Sequence, residues 1–336
     1  MCRSPPNRPG RAGCPLPLPY GDRLKQHRGL IAPRAAGRQT RRVSAIRIPR
    51  LLIDTVMEDG PRTPARRRWL AALPEVVDSL TSEWGIELGE PYEPGGRCGW
   101  IAPVDGPDAL VLKVSWRHRE AEHEADALRV WDGDGAVRCV AERVIGDTIA
   151  LLLERCDPGV QLKVALPEPD QDLVIAGLMR RLWARQPQPD HPFESLEAMC
   201  DDWAESFERD CSSRPHRLDP GLAQAAIELL RSLPGSADRG VLLCTDLHAE
   251  NVLSAQREPW LVIDPKPFFG DPAYDPIQHM LNCDQRLADD PVGLSQRIAG
   301  LLDLEPQRVQ LWLFARCTQE SLADPAMGEP AHRLRP

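Results

Sequence analysis

Two short apolar runs that each deliver a carboxylate constrain this chain more than any other feature. Leu242-Leu243-Cys244-Thr245 leads into Asp246, and Trp260-Leu261-Val262-Ile263 ends on Asp264, with Asn251 five residues after Asp246. Runs of this length suit short buried strands, and the polar residues after them suit turns. A β-hairpin with a polar loop accounts for the pattern at its plainest. The same residues also form the set that magnesium-assisted phosphoryl transfer requires. One carboxylate must face an attacking hydroxyl, and a carboxylate with an amide oxygen must hold Mg²⁺ against phosphates.

Leu110-Val111-Leu112-Lys113-Val114 alternates in the manner of a strand, with Leu110, Leu112 and Val114 on one face and Val111 and Lys113 on the other. A lysine inside an apolar strand needs a reason. Protection of a sheet edge is one, and a salt bridge to a glutamate of the next helix, placing Lys113 over nucleotide phosphates, is another. That helix is expected over 117–131, with Glu120, Glu124 and Leu128 on one face. Upstream, Gly95, Gly96 and Gly99 lie between strand-like segments. They suit a loop whose backbone N–H groups approach phosphates, or simply a hairpin turn. Neither a G-x-G-x-x-G nor a G-x-x-x-x-G-K-[ST] pattern occurs.

From Trp69 to Leu322 the chain resembles the aminoglycoside phosphotransferases, and within them the streptomycin and hydroxyurea phosphotransferase branch. Asp264-Pro265-Lys266 and Gly270-Asp271-Pro272-Ala273-Tyr274-Asp275 carry much of the likeness. The resemblance implies an α+β, protein-kinase-like two-lobed fold, with an antiparallel-sheet N-lobe and a mainly helical C-lobe. It implies ATP and Mg²⁺ as cofactors and Asp246 as the catalytic carboxylate. Asn251 and Asp264 are the implied metal ligands, and Lys113 the phosphate-supporting lysine. Glu124 matches the lysine's partner, with Glu122 a poorer match. Glu154 and Cys156 fall at the hinge, where backbone groups would bind adenine. The implied reaction is O-phosphorylation of a streptomycin-type aminoglycoside at its 6-hydroxyl, with hydroxyurea or another small metabolite as alternative acceptors. Cys244-Thr245 departs from the His-Gly common in the family, which puts loop geometry in question and leaves a catalytically impaired ligand-binding protein as a further alternative.

Other residues stay open. His248 suits packing or acid–base work, and Lys266 suits a phosphate or a carboxylate. Asp271 and Asp275 suit turns and caps, or braces for the catalytic loop, and Asp271 also suits a contact to the substrate. Trp312 suits the core, while Glu320 and Asp303 suit a cationic acceptor.

Residues 1–50 hold twelve Arg or Lys against Asp22 alone and so carry +11; with a net charge of −9, the rest of the chain carries −20. An acidic body is a poor general binder of nucleic acid and suits a cationic small molecule. Residues 1–60 form a basic segment that is expected to be disordered, to be an over-extended start with Met57 as the true one, or to act as a nucleic-acid arm. The two lobes are expected over 61–156 and 157–330, with a kink or break at Pro74, one helix over 286–299, and a tail after Asp324. Ten scattered cysteines without a CxxC pair suit free thiols in a reducing cytoplasm, and no apolar run reaches membrane length.

Overall fold

The structure, a computed structural model, describes residues 46–58, 60–213 and 218–336. Five antiparallel strands make its main sheet: β1 (Glu87–Leu88), β2 (Gly99–Asp105), β3 (Leu110–Trp116), β4 (Cys139–Ile145) and β5 (Thr148–Glu154). Their order in space is β1-β2-β3-β5-β4. Lys113 therefore sits on the central strand, opposite Ile101 on one side and Leu151 on the other. Edge protection is excluded as its purpose.

Strand alternation gives the sheet two apolar faces. Leu110, Leu112 and Val114 pack on one of them against Leu52 and Val56 of α1 (Arg50–Glu58) and Trp69, Leu73, Val77 and Leu80 of α2 (Thr63–Trp84). Leu52 and Val56 are fully buried, which contributes about 3–6 kcal/mol for the pair. The part of the N-terminal segment from residue 46 to 58 is thus built into the sheet layer, against the expected boundary at 60. The basic residues before 46, with the expectations attached to them, lie outside the described residues.

Helix α2 runs through Pro74 without the expected break. A proline inside a helix costs about 3 kcal/mol, and burial of Leu73 and Val77 on the same helix offsets it by a similar amount, about 1.5–3 kcal/mol each. The helix stops at Gly85, whose φ of 64° is a left-handed cap. The first strand consequently starts at Glu87.

The other face of the sheet, with Ile149, Leu151 and Leu153, meets α3 (Glu124–Trp131) and the helical part of the chain. Arg119–Ala121 is a separate 3₁₀ turn, so the expected helix over 117–131 begins late. The helical part holds α4 (Leu162–Ala165), α5 (Glu168–Ala184), α6 (Leu196–Ser213) and α7 (Pro220–Ser232). Two small ladders follow, β6 (Val241–Leu243) with β9 (Phe268–Gly270) and β7 (Val252–Ser254) with β8 (Trp260–Val262).

The chain closes with α8 (Ile277–Leu281), α9 (Asp284–Asp289), α10 (Pro291–Leu302), α11 (Pro306–Glu320) and α12 (Gly328–Leu334). The single helix expected over 286–299 is split at Asp290-Pro291, where the Asp290 carboxylate accepts from the Gly293 N–H and caps α10. The expected tail is α12 instead, with Ala331 and Leu334 fully buried. Among the described residues no helix is long and apolar enough to cross a membrane.

Candidate active site

The two small ladders bring the three singled-out loop residues together. In the second ladder Val252 opposes Val262, and the Ile263 N–H donates to the Asn251 carbonyl at 2.9 Å. Asn251 is thereby set beside Asp264. The first ladder continues into a bond from the Lys266 N–H to the Cys244 carbonyl at 2.9 Å, which ties the segment after Asp264 to the one before Asp246. Thr245 and Asp264 both take left-handed backbone, at φ 51° and 52°. Non-glycine residues hold such conformations where surrounding bonds over-determine them, often at functional sites.

The predicted pairing of Lys113 with Glu124 is present. Lys113 Nζ donates to both Glu124 oxygens, at 2.7 and 2.6 Å, and to Asp264 Oδ1 at 2.6 Å. Lys266 Nζ reaches the same Asp264 oxygen at 2.8 Å and lies 4.0 Å from Asp246 Oδ2. Burial disfavours the charged form of Asp264, but Lys113 and Lys266 outweigh it and hold the carboxyl well below its usual range. Asp246 goes the other way. Burial pushes it up to about 6; Lys266 opposes this, while Asp264 and Glu120 add to it. Two neighbouring carboxylates driven apart in this manner give an ionised oxygen ligand beside a group able to exchange a proton near neutral pH.

The Asn251 side-chain amide donates to the Asp246 carbonyl at 3.0 Å, so its own oxygen remains an acceptor. An amide oxygen next to an ionised carboxylate is a hard-oxygen donor pair, the kind Mg²⁺ uses when its other ligands are waters and phosphates. The residues fit the ion.

Asp275 braces the loop that carries Asp246. Its buried carboxylate accepts from the N–H groups of Cys244 and Thr245, at 2.9 and 2.7 Å, and from the Trp183 indole at 2.7 Å. Thr245 adds a hydroxyl bond to the Lys266 carbonyl. Cys244 is fully buried, and burial pushes its thiol well above the ordinary range. It acts as a small apolar filler, and the loop geometry rests on its backbone. The departure at Cys244-Thr245 therefore leaves the loop anchored. Asp271 turns away from the cleft to the Trp312 indole and Arg308, both at 2.7 Å, and Trp312 is core.

The remaining predicted residues divide. A Cβ on Gly99 would meet Ser115 Oγ at 2.6 Å, and one on Gly95, which has φ +78°, would meet Pro49 Cγ at 3.0 Å, so packing alone explains these two glycines. Arg97, within the loop they shape, also acts electrostatically on Glu250, in the segment between Asp246 and Asn251. The Glu154 side chain is consumed by Arg257 and the Arg138 N–H. Its own N–H donates to the Arg138 carbonyl, away from β3. N–H and C=O of one strand residue point to the same side, so the Glu154 carbonyl also faces away from β3. Cys156 follows as the strand ends, its thiol pushed up to about 12 by burial. Glu122 pairs with Arg117 and Glu320 with Arg316, while Asp303 caps α10. His248 Nε2 stands 3.7 Å from Asp246 Oδ1, and burial lowers its pKa.

Three features had no sequence signal. His118 is held neutral, its pKa lowered to about 4 by burial and then by Lys266. Arg119 spans from the sheet layer to Glu194 and Asp202 of the helical part. Asp172, His279 and Cys283 form a buried cluster within 4.8 Å. The last is not a good metal site, because Arg286 and Arg297 already occupy both Asp172 oxygens and Cys283 keeps its proton, with a pKa near 12 set by burial.

A sheet layer carrying a Lys–Glu pair, set over a helical part carrying an Asp, an Asn and a second Asp, defines a kinase-like phosphotransferase. A choline kinase, LicA from Streptococcus pneumoniae, has the same fold: TM-score 0.54 and 13% identity over 78% of this chain and 97% of that one. A thermostable mutant of an aminoglycoside phosphotransferase matches with TM-score 0.52 and 16% identity over 77% and 98%. The chain belongs to the aminoglycoside/hydroxyurea antibiotic resistance kinases, whose family model matches residues 92–324. It is 34% identical over 300 residues to a hydroxyurea phosphotransferase of Kitasatospora aureofaciens, covering 87% of this chain and 84% of that protein. It is 31% identical over 277 residues to a streptomycin 6-kinase of Streptomyces griseus, covering 77% and 85%.

Proposed function

We propose that the chain transfers the γ-phosphoryl group of ATP to a hydroxyl of a small antibiotic, with a streptomycin-type aminoglycoside at its 6-hydroxyl as the first choice. The observation that carries the reading is the convergence of Lys113, Glu124, Asp264, Asn251 and Asp246 in one cluster, with Asp264 held ionised and Asp246 raised to about 6. Asn251 and Asp264 would hold Mg²⁺, which supplies charge compensation to the phosphates when bound. Lys113, fixed by Glu124, would support the α and β phosphates. The glycine-bearing loop at Gly95, Gly96 and Gly99 would cover them, and backbone groups from Glu154 to Cys156 would receive adenine. Asp246 would orient the acceptor hydroxyl and take its proton, so that catalysis is mainly placement and electrostatics.

Hydroxyurea is the second acceptor, favoured by the 34% identical relative that bears its name. The acidic body favours the cationic aminoglycoside. Incubation with Mg·ATP and a panel of streptomycin, dihydrostreptomycin, other aminoglycosides and hydroxyurea, read by mass, tests the reading. Streptomycin heavier by one phosphoryl group is the expected product. Phosphorylated hydroxyurea alone would select the second acceptor. ATP bound without product on any member would remove both.

A further inference from the structure

We propose that Lys266 is a further catalytic residue, whose ammonium contacts the transferring phosphoryl group between Asp246 and Asp264. The proposal rests on the ATP-dependent reading above and assigns a role to a residue that reading leaves unused.

Position is the first argument. Lys113 is committed to the Glu124 carboxylate through both oxygens, which fixes it at the sheet side of Asp264. Lys266 lies on the other side, 2.8 Å from Asp264 Oδ1 and 4.0 Å from Asp246 Oδ2. Asp264 marks the metal end of a phosphoryl transfer and Asp246 the acceptor end. Among the described residues Lys266 is the lysine with an ion-pair contact to both.

Anchoring is the second. The Lys266 N–H donates to the Cys244 carbonyl, and its carbonyl accepts from the Thr245 hydroxyl. Both partners belong to the segment that Asp275 braces. The backbone of Lys266 is thereby locked to the Asp246 loop, while its ammonium ends a flexible four-carbon stem. A cation so placed can follow charge as it develops without moving the loop.

Charge is the third. Among the described residues the lysines in ion-pair contact with Asp246, Asp264 and Glu124 are Lys113 and Lys266, and Asp246 also has Asn251 at 3.4 Å and His248 at 3.7 Å. Asp264 Oδ1 is shared by both lysines. When that carboxylate serves as a metal ligand, its charge is divided further, and an anionic phosphoryl group becomes the stronger partner for Lys266. In the transfer the acceptor oxygen forms its bond to the γ-phosphorus. The bond to the β–γ bridging oxygen breaks with its electron pair staying on ADP, and the acceptor proton passes to Asp246 and then to water. Lys266 keeps its proton and compensates charge on the moving group.

The test compares Lys266→Met and Lys266→Arg with the unmodified protein. Four quantities are read: turnover with the best acceptor of the panel, slow hydrolysis of Mg·ATP by water, Mg·ADP affinity by calorimetry, and melting temperature. For Lys266→Met the expected result is a kcat lower by about 10²–10³-fold in both reactions. KM values, Mg·ADP affinity and melting temperature should stay near those of the unmodified protein, because ADP lacks the group Lys266 contacts. Lys266→Arg should recover at least about a tenth of the lost kcat. A raised KM for ATP with kcat intact would overturn the proposal in favour of ground-state binding. A loss of melting temperature and Mg·ADP affinity alongside kcat, without rescue by arginine, would overturn it in favour of a structural role. An unmodified protein that neither transfers nor hydrolyses would remove the functional reading, and this proposal with it.

Discussion

Asp172 and Asp246 are both carboxylates withdrawn from water in the helical part of the chain, and their surroundings treat them oppositely. Asp172 receives His279 Nε2 at 2.9 Å, Arg286 at 3.0 and 2.8 Å and Arg297 at 2.7 Å. Burial acts to raise its pKa, but these three bonded partners outweigh it and hold the carboxyl far below the usual range. Around Asp246 the partners stand off: Asn251 at 3.4 Å, His248 at 3.7 Å and Lys266 at 4.0 Å. Burial prevails there, and the pKa rises to about 6. A saturated buried carboxylate is committed to holding structure. An under-satisfied one retains the capacity to take a proton, which is what a reacting centre needs.

Substitution at the two sites should therefore fail in different currencies. The largest effect is expected for Asp246→Asn, which should lower kcat by about 10²–10⁴-fold, the usual contribution of a positioned acid–base group, while Mg·ADP affinity and melting temperature hold. Steady-state kinetics beside calorimetry checks it, and full activity would end the assignment. For Asp264→Ala we expect impaired productive binding of Mg·ATP, with a loss in kcat/KM beyond the roughly 10–100-fold that follows removal of an outer partner of a metal site. A magnesium titration of turnover checks this; an unchanged magnesium requirement would argue that other groups hold the ion.

Asp172→Ala should do the reverse. Removing it leaves Arg286, Arg297 and His279 without their common anion. Breaking a buried pair costs about 3–5 kcal/mol, and the partial exposure of Arg286 and Arg297 places this case toward the lower end. Denaturant unfolding should register the loss, with kcat per folded molecule little changed. A large fall in kcat at unchanged stability would erase the distinction between the sites.

Acidification gives the smallest and sharpest comparison. The folded pKa of Asp172 lies below its unfolded value of 3.8, so its stabilisation is present above that pH and is lost as pH falls through the folded pKa. The folded pKa of Asp246 lies above its unfolded value. Ionising it therefore disfavours the fold above about pH 6, and protonation on acidification relieves that cost. Between about pH 6 and 4, kcat/KM should drop by about tenfold per pH unit while the Asp172 cluster stays intact. Circular dichroism recorded across the same range checks the second half. Activity that persists unchanged to pH 4 would remove Asp246 as the base.

Much of the site was legible from local chemistry. Two apolar runs delivering Asp246 and Asp264, and a lysine inside an alternating strand, required particular partners, and the fold supplies Glu124 and Asp264 to Lys113 at contact distance. Boundaries were less legible where packing overrides local preference. Pro74 signalled a break, yet burial of Leu73 and Val77 keeps α2 whole. Residues 46–58 follow an Arg- and Pro-rich stretch, and what fixes them lies far along the chain: Trp100 Nε1 donates to the Arg47 carbonyl at 2.8 Å, and Leu52 and Val56 close the outer face of the sheet. The short α12 similarly owes its order to buried Ala331 and Leu334.

By itself the sequence determined which residue types stand at the ends of which strands, because apolar period and turn chemistry are local properties of the chain. It could not determine how charge is divided among residues that the fold alone brings together. Lys113 and Asp264 are 151 positions apart in the chain and 2.6 Å apart in space. Only that approach decides that Asp264 stays ionised, that Asp246 rises toward neutral pH, and that Lys266 lies between them. The reason is physical: a carboxyl's protonation depends on the charges and water within a few ångströms of it, and tertiary structure sets both.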